Sequence, residues 1–326
     1  MKVSRARPAP TELSGVGAGL ARDKLIGTSQ SQTLKESTPM KTQPRSANTQ
    51  ARFSFEFFPA KTEVGEEKLQ EVHRQLALLK PDFFSVTYGA GGSTRDGTRQ
   101  AVTSIHNAGS NVAPHLSFGG SSEEEILALL QYYKELGITR LVALRGDVPS
   151  GTGATSSYYY ANELVELVRR KTANHFHIEV ACYPEIHPKS ESYESDLFYF
   201  KKKVDAGADS AITQYFYNAD AYFYYVDRCK ALGIEIPIVP GIMPITNYAN
   251  LARFSGNCGA EIPRWIRQRL QGFGDDTDSI RQFGEEVVTR LCETLLDGGA
   301  PGLHFYTMNQ YASVSSLWGN LGLSER

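Results

Sequence analysis

Phe53-Ser54-Phe55-Glu56-Phe57-Phe58-Pro59 opens the part of the chain able to pack, since nothing before Arg52 carries the apolar residues for it. Read with period 2, Phe53, Phe55 and Phe57 share one face and Ser54, Glu56 and Phe58 the other. A carboxylate therefore rides a strand that is otherwise mostly aromatic. Such a group needs a partner or tends to take up a proton. Glu56 is accordingly either a salt-bridged structural residue or a tuned acid/base.

Upstream of this stretch, residues 1–50 contain no Phe, Tyr, Trp, Cys or His. They hold eight Lys or Arg against three Asp or Glu, net +5, which leaves the remainder of a chain of net charge −2 at −7. A segment so poor in apolar area cannot offset its ordering entropy, so a disordered N-terminal extension is expected over 1–50. Few acidic residues would suit an organellar targeting segment, but no amphipathic Arg-rich helix stands out, and Met40 offers an alternative start.

Downstream, short runs rich in Val, Ile, Phe and Tyr alternate with helical patterns. The runs are Phe53–Phe58, Phe83–Tyr88, Asn111–Leu116, Arg140–Leu144, His177–Cys182, Ser210–Tyr215, Glu235–Pro240 and Gly302–Tyr306. Helices are expected over Glu66–Lys80, Arg95–Ala108, Glu123–Leu136, Tyr159–Lys171, Ser192–Ala206 and Ala219–Leu232. A longer helical region runs from Tyr248 to Asp297, and a final helix from Asn309 to Leu321. Ser122-x-x-Glu125 reads as a capping box and Gly137 as the stop of the third helix.

Eight βα units in succession read as an α/β fold, a (β/α)8 TIM barrel, filling 51–326 as one catalytic domain. A doubly wound sheet would want a complete G-x-G-x-x-G, and none occurs; the nearest match, Gly15 to Gly19, sits in the extension. In a barrel, chemistry gathers where strands end. Here those ends deliver Glu56, Thr87-Tyr88, His115, Arg145-Gly146-Asp147, Tyr183 to His187, Thr213-Gln214, Pro240-Gly241 and His304 to Thr307. That many polar groups converging on one rim point to an active site. Arg145, the glycine-rich backbone of 89–92 and Lys201-Lys202-Lys203 would suit anionic groups, although three lysines in a row also fit a solvated helix face. No metal-ligand pattern and no G-x-S-x-G turn appears, so an organic cofactor is the expected carrier of the chemistry.

The four cysteines, Cys182, Cys229, Cys258 and Cys292, lie far apart and read as reduced thiols of a cytoplasmic protein. No apolar run approaches the ~20 residues that span a membrane, and no global basic signal suggests nucleic acid.

Taken together, the motifs resemble the methylenetetrahydrofolate reductase family. They include Ser54 to Pro59, Val86-Thr87-Tyr88-Gly89-Ala90, Ala113-Pro114-His115-Leu116, Ala143 to Asp147 and Tyr183 to Pro188. Lys203 to Ala208, Ile212 to Phe216, Pro240 to Pro244 and His304 to Asn309 continue the likeness in order, from about Arg52 to Leu323. The chain stops after the barrel and so looks like the short bacterial form, without the domain through which longer relatives sense S-adenosylmethionine.

The resemblance implies an FAD-containing barrel. Such a barrel reduces 5,10-methylenetetrahydrofolate to 5-methyltetrahydrofolate with NADH (or NADPH), in ping-pong fashion, for methionine synthesis. Glu56 matches the acid that protonates the substrate's imidazolidine ring, which a raised pKa would favour. Asp147 matches an acid beside the flavin that also contacts the pterin. Thr87, Tyr88, Ala90, His115, Arg145, Gly146, Asp147, Tyr183, His187, Asp196, Tyr199, Lys202 and Lys203 match the FAD surroundings. Tyr199 stands where a relative has Asn. Gln214, Asn250, Phe254 and Gln310 match the substrate side; Gln310 stands where relatives usually carry Arg. A homo-oligomer is expected. Two rivals remain: another flavin barrel such as a proline dehydrogenase, and a folate- or flavin-binding protein without turnover. The presence of both Glu56 and Asp147 argues against the second.

Overall fold

The computed structural model describes residues 51–88, 95–118, 121–146 and 160–325. The extension 1–50, the glycine-rich stretch 89–92 with Ala90, and Asp147 lie outside the described residues.

Strand β1 (Arg52–Phe57) pairs in parallel with β2 (Phe83–Val86) on one side and with the last strand, β9 (Gly302–Tyr306), on the other. From β2 the sheet continues through β3 (Val112–Leu116), β4 (Arg140–Ala143), β5 (His177–Cys182) and β6 (Ser210–Thr213). The expected seventh strand is split. Ile238–Val239 (β7) pairs with β6, and Gly241–Ile242 (β8) pairs with β9. Pro240 between them has no N–H to give the ladder, while its carbonyl accepts from His304 N at 3.0 Å. Among the described residues the nine strands are therefore eight staves, all parallel, and the α/β barrel is that of the TIM type. Gly241 is required where it stands: a Cβ there would lie 2.2 Å from the Thr213 carbonyl and 2.7 Å from the Tyr306 ring.

The period-2 reading of the first strand holds in three dimensions. Phe53, Phe55 and Phe57 form the layer between barrel and helices: Phe53 meets Trp318 edge-on at 5.2 Å, and Phe57 stacks on Phe84 at 5.4 Å. Ser54 and Glu56 face inward, both reaching His304. Deeper in the barrel, near the strand starts, Arg140 pairs with buried Glu179, which also accepts from Ser210; His177 Nε2 lies 2.6 Å from the Ser210 hydroxyl. Burial pushes the Glu179 carboxyl up, but its bonds to His177, Arg140 and Ser210 outweigh that and hold it below the usual range. Phe83, Ala113, Val142 and Ile212 pack together as a small apolar cluster of their own.

Helices α1 (Glu63–Ala77), α2 (Arg95–Asn107), α3 (Glu123–Glu135), α4 (Ala161–Thr172), α5 (Tyr193–Asp205) and α6 (Ala219–Ala231) follow the first six strands. The capping box at Ser122 and Glu125 is formed. The helical region from Tyr248 to Asp297 consists of three helices: α7 (Tyr248–Cys258), α8 (Arg264–Gly272) and α9 (Thr277–Asp297). Gly259, left-handed at φ 77°, ends the first, and Asp276 caps the third by accepting from Ser279 N. Helix α10 (Ala312–Asn320) closes the fold. Among the described residues, no helix is long and apolar enough to cross a membrane.

Candidate active site at the mouth of the barrel

The strand ends enclose a cavity of about 330 Å3 whose lining includes Glu56, Thr87, His115, Gln214, Tyr215 and Phe254. They arrive from the ends of β1, β2, β3 and β6 and from helix α7, which is how a barrel gathers residues distant in sequence. Glu56 is 8 % exposed. Its Oε2 lies 3.3 Å from His304 Nε2 and 3.4 Å from His115 Nε2, while His304 Nδ1 lies 2.7 Å from the Ser54 hydroxyl. The backbone under it is braced: the Glu56 carbonyl accepts from Thr307 Oγ1 at 2.6 Å. The Asn309 side chain bridges Phe58 N (2.9 Å) and O (2.8 Å), holding the end of β1 to the end of β9.

The two histidines differ. His304 belongs to a three-membered chain, Ser54–His304–Glu56. His115 is near enough to Glu56 to feel its charge, but its Nε2 is not directed as a hydrogen bond and is buried without a partner. Burial pushes its pKa down to about 4, the Glu56 charge only partly opposing this and His304 adding to it. His115 is thus a neutral imidazole near pH 7. Thr87 Oγ1 is also buried and unpartnered on the same wall, although its carbonyl is fixed by Thr98 Oγ1 at 2.8 Å. Unpartnered buried polar atoms are costly, and two facing one cavity suit a ligand that hydrogen-bonds them.

A neighbouring cavity of about 550 Å3 shares Leu144, Ala181 and Tyr183 with the first. Its polar lining includes Arg145, His187, Asp196, Tyr160, Tyr199 and Lys203. Lys203 points inward, its Nζ 2.6 Å from the Ala181 carbonyl, and burial pulls its pKa down. Asp196 accepts from His187 N at 2.9 Å, and the His187 ring meets Tyr183 edge-on at 4.6 Å. Half-exposed Tyr160 and Tyr199 lie nearly parallel, 6.3 Å apart, with the Arg145 guanidinium 5.4 Å over Tyr160. Cations for a diphosphate, flat rings for a purine and unpartnered donors or acceptors next door fit a flavin dinucleotide laid across both cavities.

Of the residues singled out from sequence, Glu56, Thr87, Tyr88, His115, Tyr183, Gln214 and Phe254 line the first cavity, and Arg145, Tyr183, His187, Asp196, Tyr199 and Lys203 line the second. Lys202 lies in a groove between α4 and α5, its Nζ 5.5 Å from the Tyr199 ring centre. Gly146 and Asn250 line neither cavity; the Asn250 side-chain oxygen accepts from Arg253 at 3.3 Å, and its backbone N–H donates to the Asn247 side chain. Gln310 lines a third cavity. Sequence reasoning missed the pairing of His304 with Glu56, and also Tyr160, Tyr215 and Cys258. A run of three tyrosines ending at the start of α4 was the available signal for Tyr160. Among the described residues, no group of three or more His, Cys, Asp or Glu is placed to hold a metal ion.

The sequence profile of methylenetetrahydrofolate reductase matches residues 41–322. A 5,10-methylenetetrahydrofolate reductase of Buchnera aphidicola is 41% identical over 280 residues, covering 85% of this chain and 94% of the relative. That of Escherichia coli is 38% identical over 275 residues, 84% and 92% of the two chains. Methylenetetrahydrofolate reductase (NADH) 1 of Arabidopsis thaliana is 40% identical over 84% of this chain, which spans 49% of the plant protein. Among solved structures, an uncharacterized Clostridium thermocellum protein that binds two copies of 5-methyl-5,6,7,8-tetrahydrofolic acid superposes with a TM-score of 0.60 at 16% identity. The match covers 84% of this chain and 94% of that one, a likeness of fold.

Proposed function

The chain belongs to the methylenetetrahydrofolate reductase family, and on that premise we propose that it reduces 5,10-methylenetetrahydrofolate to 5-methyltetrahydrofolate with electrons from NADH, NADPH being the alternative donor. Bound FAD supplies the hydride chemistry. The observation that carries the reading is Glu56: a buried carboxylate at the floor of an otherwise largely apolar cavity, between two histidines.

Glu56 serves as the proton donor to the substrate ring nitrogen whose departure opens the imidazolidine. His115, neutral near pH 7, places no positive charge on that side of the carboxylate. The Ser54–His304 pair accommodates both states of the acid. With Ser54 donating to Nδ1, His304 Nε2 carries the proton and donates to an ionised Glu56; with the other tautomer, Nε2 accepts from a protonated one. Gln214, Tyr215 and Phe254 form the wall on which the flat pterin or nicotinamide is oriented, Phe254 by stacking. A cavity of about 330 Å3 is at the small end for a ligand site. On the family resemblance, donor and folate are read as occupying it in turn, which makes turnover ping-pong.

Thr87, His115, Arg145, His187, Asp196, Tyr199 and Lys203 hold the FAD. By its match to the family motif, Asp147 would supply a negative charge near bound FAD, which would favour a cationic iminium on the substrate. The protein is placed in the cytoplasm. The test is product formation: flavin-loaded protein, NADH and 5,10-methylenetetrahydrofolate should yield 5-methyltetrahydrofolate by mass spectrometry. NADH oxidation without that product would overturn the reading.

A further inference from the structure

The methionines of this chain are unevenly placed. Of the four, Met1 and Met40 precede the barrel, and the other two, Met243 and Met308, both line the main cavity. Among the described residues the fully buried apolar core contains none. Methionine's ordinary use is to fill irregular gaps in a core, and that is not how it is used here.

Both residues are half-buried, on backbone that is held in place. The Met243 carbonyl accepts from the Tyr217 hydroxyl at 3.1 Å. Met308 is left-handed at φ 52° and is followed by Asn309 at φ 55°, whose side chain ties the turn to Phe58 N and O. A non-glycine pair keeps that conformation only where its surroundings over-determine it, and such turns gather at functional sites. Met243 follows β8 and Met308 follows β9, and these two strands are paired. The two thioethers therefore come from neighbouring staves into one cavity.

That cavity is also where the reductase reading puts the redox chemistry. Dioxygen that enters while the cofactor is reduced and no folate is bound takes up two electrons and two protons and becomes hydrogen peroxide. A thioether sulfur then attacks one peroxide oxygen and the O–O bond breaks. The transferred oxygen gives up its proton, and the other oxygen leaves with both protons as water. Sulfur is oxidised to the sulfoxide and peroxide is reduced. Cys258, the third sulfur in the lining, reacts as its thiolate and must first lose a proton, which a thioether need not do. Sulfoxide formation turns a flexible apolar side chain into a polar one. A polar group pressed against a bound ligand without a hydrogen-bond partner lowers affinity.

We propose that Met243 and Met308 form a reversible oxidation site: peroxide made in the cavity converts them to sulfoxides, and the sulfoxides weaken folate binding until they are reduced. The assignment rests on the reductase reading of the main cavity. It means that the enzyme, reduced by NADH in air with no folate to take the electrons, turns down its own affinity for folate.

The test incubates flavin-loaded protein with NADH in air, together with catalase and a short methionine reporter peptide, and reads each sulfur by peptide mass spectrometry. Sulfoxide at Met243 and Met308 should exceed that of the reporter by roughly tenfold, because peroxide is most concentrated where it forms. Saturating 5-methyltetrahydrofolate, or exclusion of oxygen, should suppress it. Calorimetry on the treated, flavin-loaded protein should then show 5-methyltetrahydrofolate bound about tenfold more weakly than before treatment. Methionine sulfoxide reductases A and B together should restore the affinity. The double variant Met243→Leu/Met308→Leu should keep its own starting affinity through the same treatment. Oxidation no greater than the reporter's, oxidation confined to Cys258, sulfoxides that leave affinity unchanged, or a double variant that weakens as much as wild type would each overturn the site while leaving the reductase reading intact. Flavin that NADH does not bleach before air is admitted overturns that reading and the site together.

Discussion

Glu56→Gln separates chemistry from structure at the centre of the site. The amide has the shape of the protonated acid, so the cavity keeps its volume. It can still hydrogen-bond His304 Nε2, 3.3 Å from Oε2, in either tautomer. The cost in stability should be about 1 kcal/mol, a melting shift of a few degrees in a protein of this size. What is lost is the transferable proton. Removing a general acid typically costs ~10²–10⁴-fold, or roughly 3–5 kcal/mol of barrier at ~1.36 kcal/mol per decade. Anaerobic stopped-flow absorbance can follow the two halves of turnover separately: reduction of the bound flavin by NADH, and its reoxidation by 5,10-methylenetetrahydrofolate. The first should be nearly intact and the second slower by ~10²-fold or more. Equal slowing of both would refute the acid role and make Glu56 a structural residue.

Asp147→Asn should make the flavin easier to reduce while slowing the folate step by ~10²-fold, the size of losing one preorganised electrostatic group; a dye-linked potential that is unchanged or lower contradicts its placement. Gln310→Arg should lower the folate KM by about 1 kcal/mol, roughly fivefold, and the gain should fade with salt because the position is exposed; identical KM at both salt concentrations places residue 310 outside the site. His115 predicts an acid sensitivity with a definite sign. Its folded pKa of about 4 lies below the ordinary 6.5, so the unfolded chain binds the proton first as pH falls, and stability drains between those values. Linkage puts this on the order of 3 kcal/mol, and His115→Gln should flatten that part of the urea-denaturation pH curve. A variant curve parallel to the wild-type curve there would show that the imidazole is not held neutral.

Much of the barrel was legible because its strands obey local rules. Phe53, Phe55 and Phe57 against Ser54 and Glu56 is a period that survives folding unchanged, and it put Glu56 inside correctly. What failed was punctuation and distance. The Tyr248–Asp297 region read as helical without its internal breaks, because Gly259, Pro263 and Gly274 sit among residues with good helical pattern. The seventh stave broke at Pro240, whose missing N–H divides its pairing between two neighbours. The lysine run shows why spacing alone is ambiguous. Successive residues on a helix point about 100° apart. Lys201 therefore pairs with Asp205 at the surface, Lys202 lies over Phe198, and only Lys203 turns in to the Ala181 carbonyl. His304 was placed on the rim, yet its partnership with Glu56 spans 248 residues and follows from which strands close the barrel. No local pattern encodes that.

The most direct test is an anaerobic titration watched in the visible spectrum. Purified protein reconstituted with FAD should show the yellow flavin bands and lose them on stoichiometric NADH. It should regain them on adding 5,10-methylenetetrahydrofolate, with no oxygen present. A protein that stays colourless after reconstitution, or whose reduced flavin is not reoxidised by the folate, would contradict the reductase assignment.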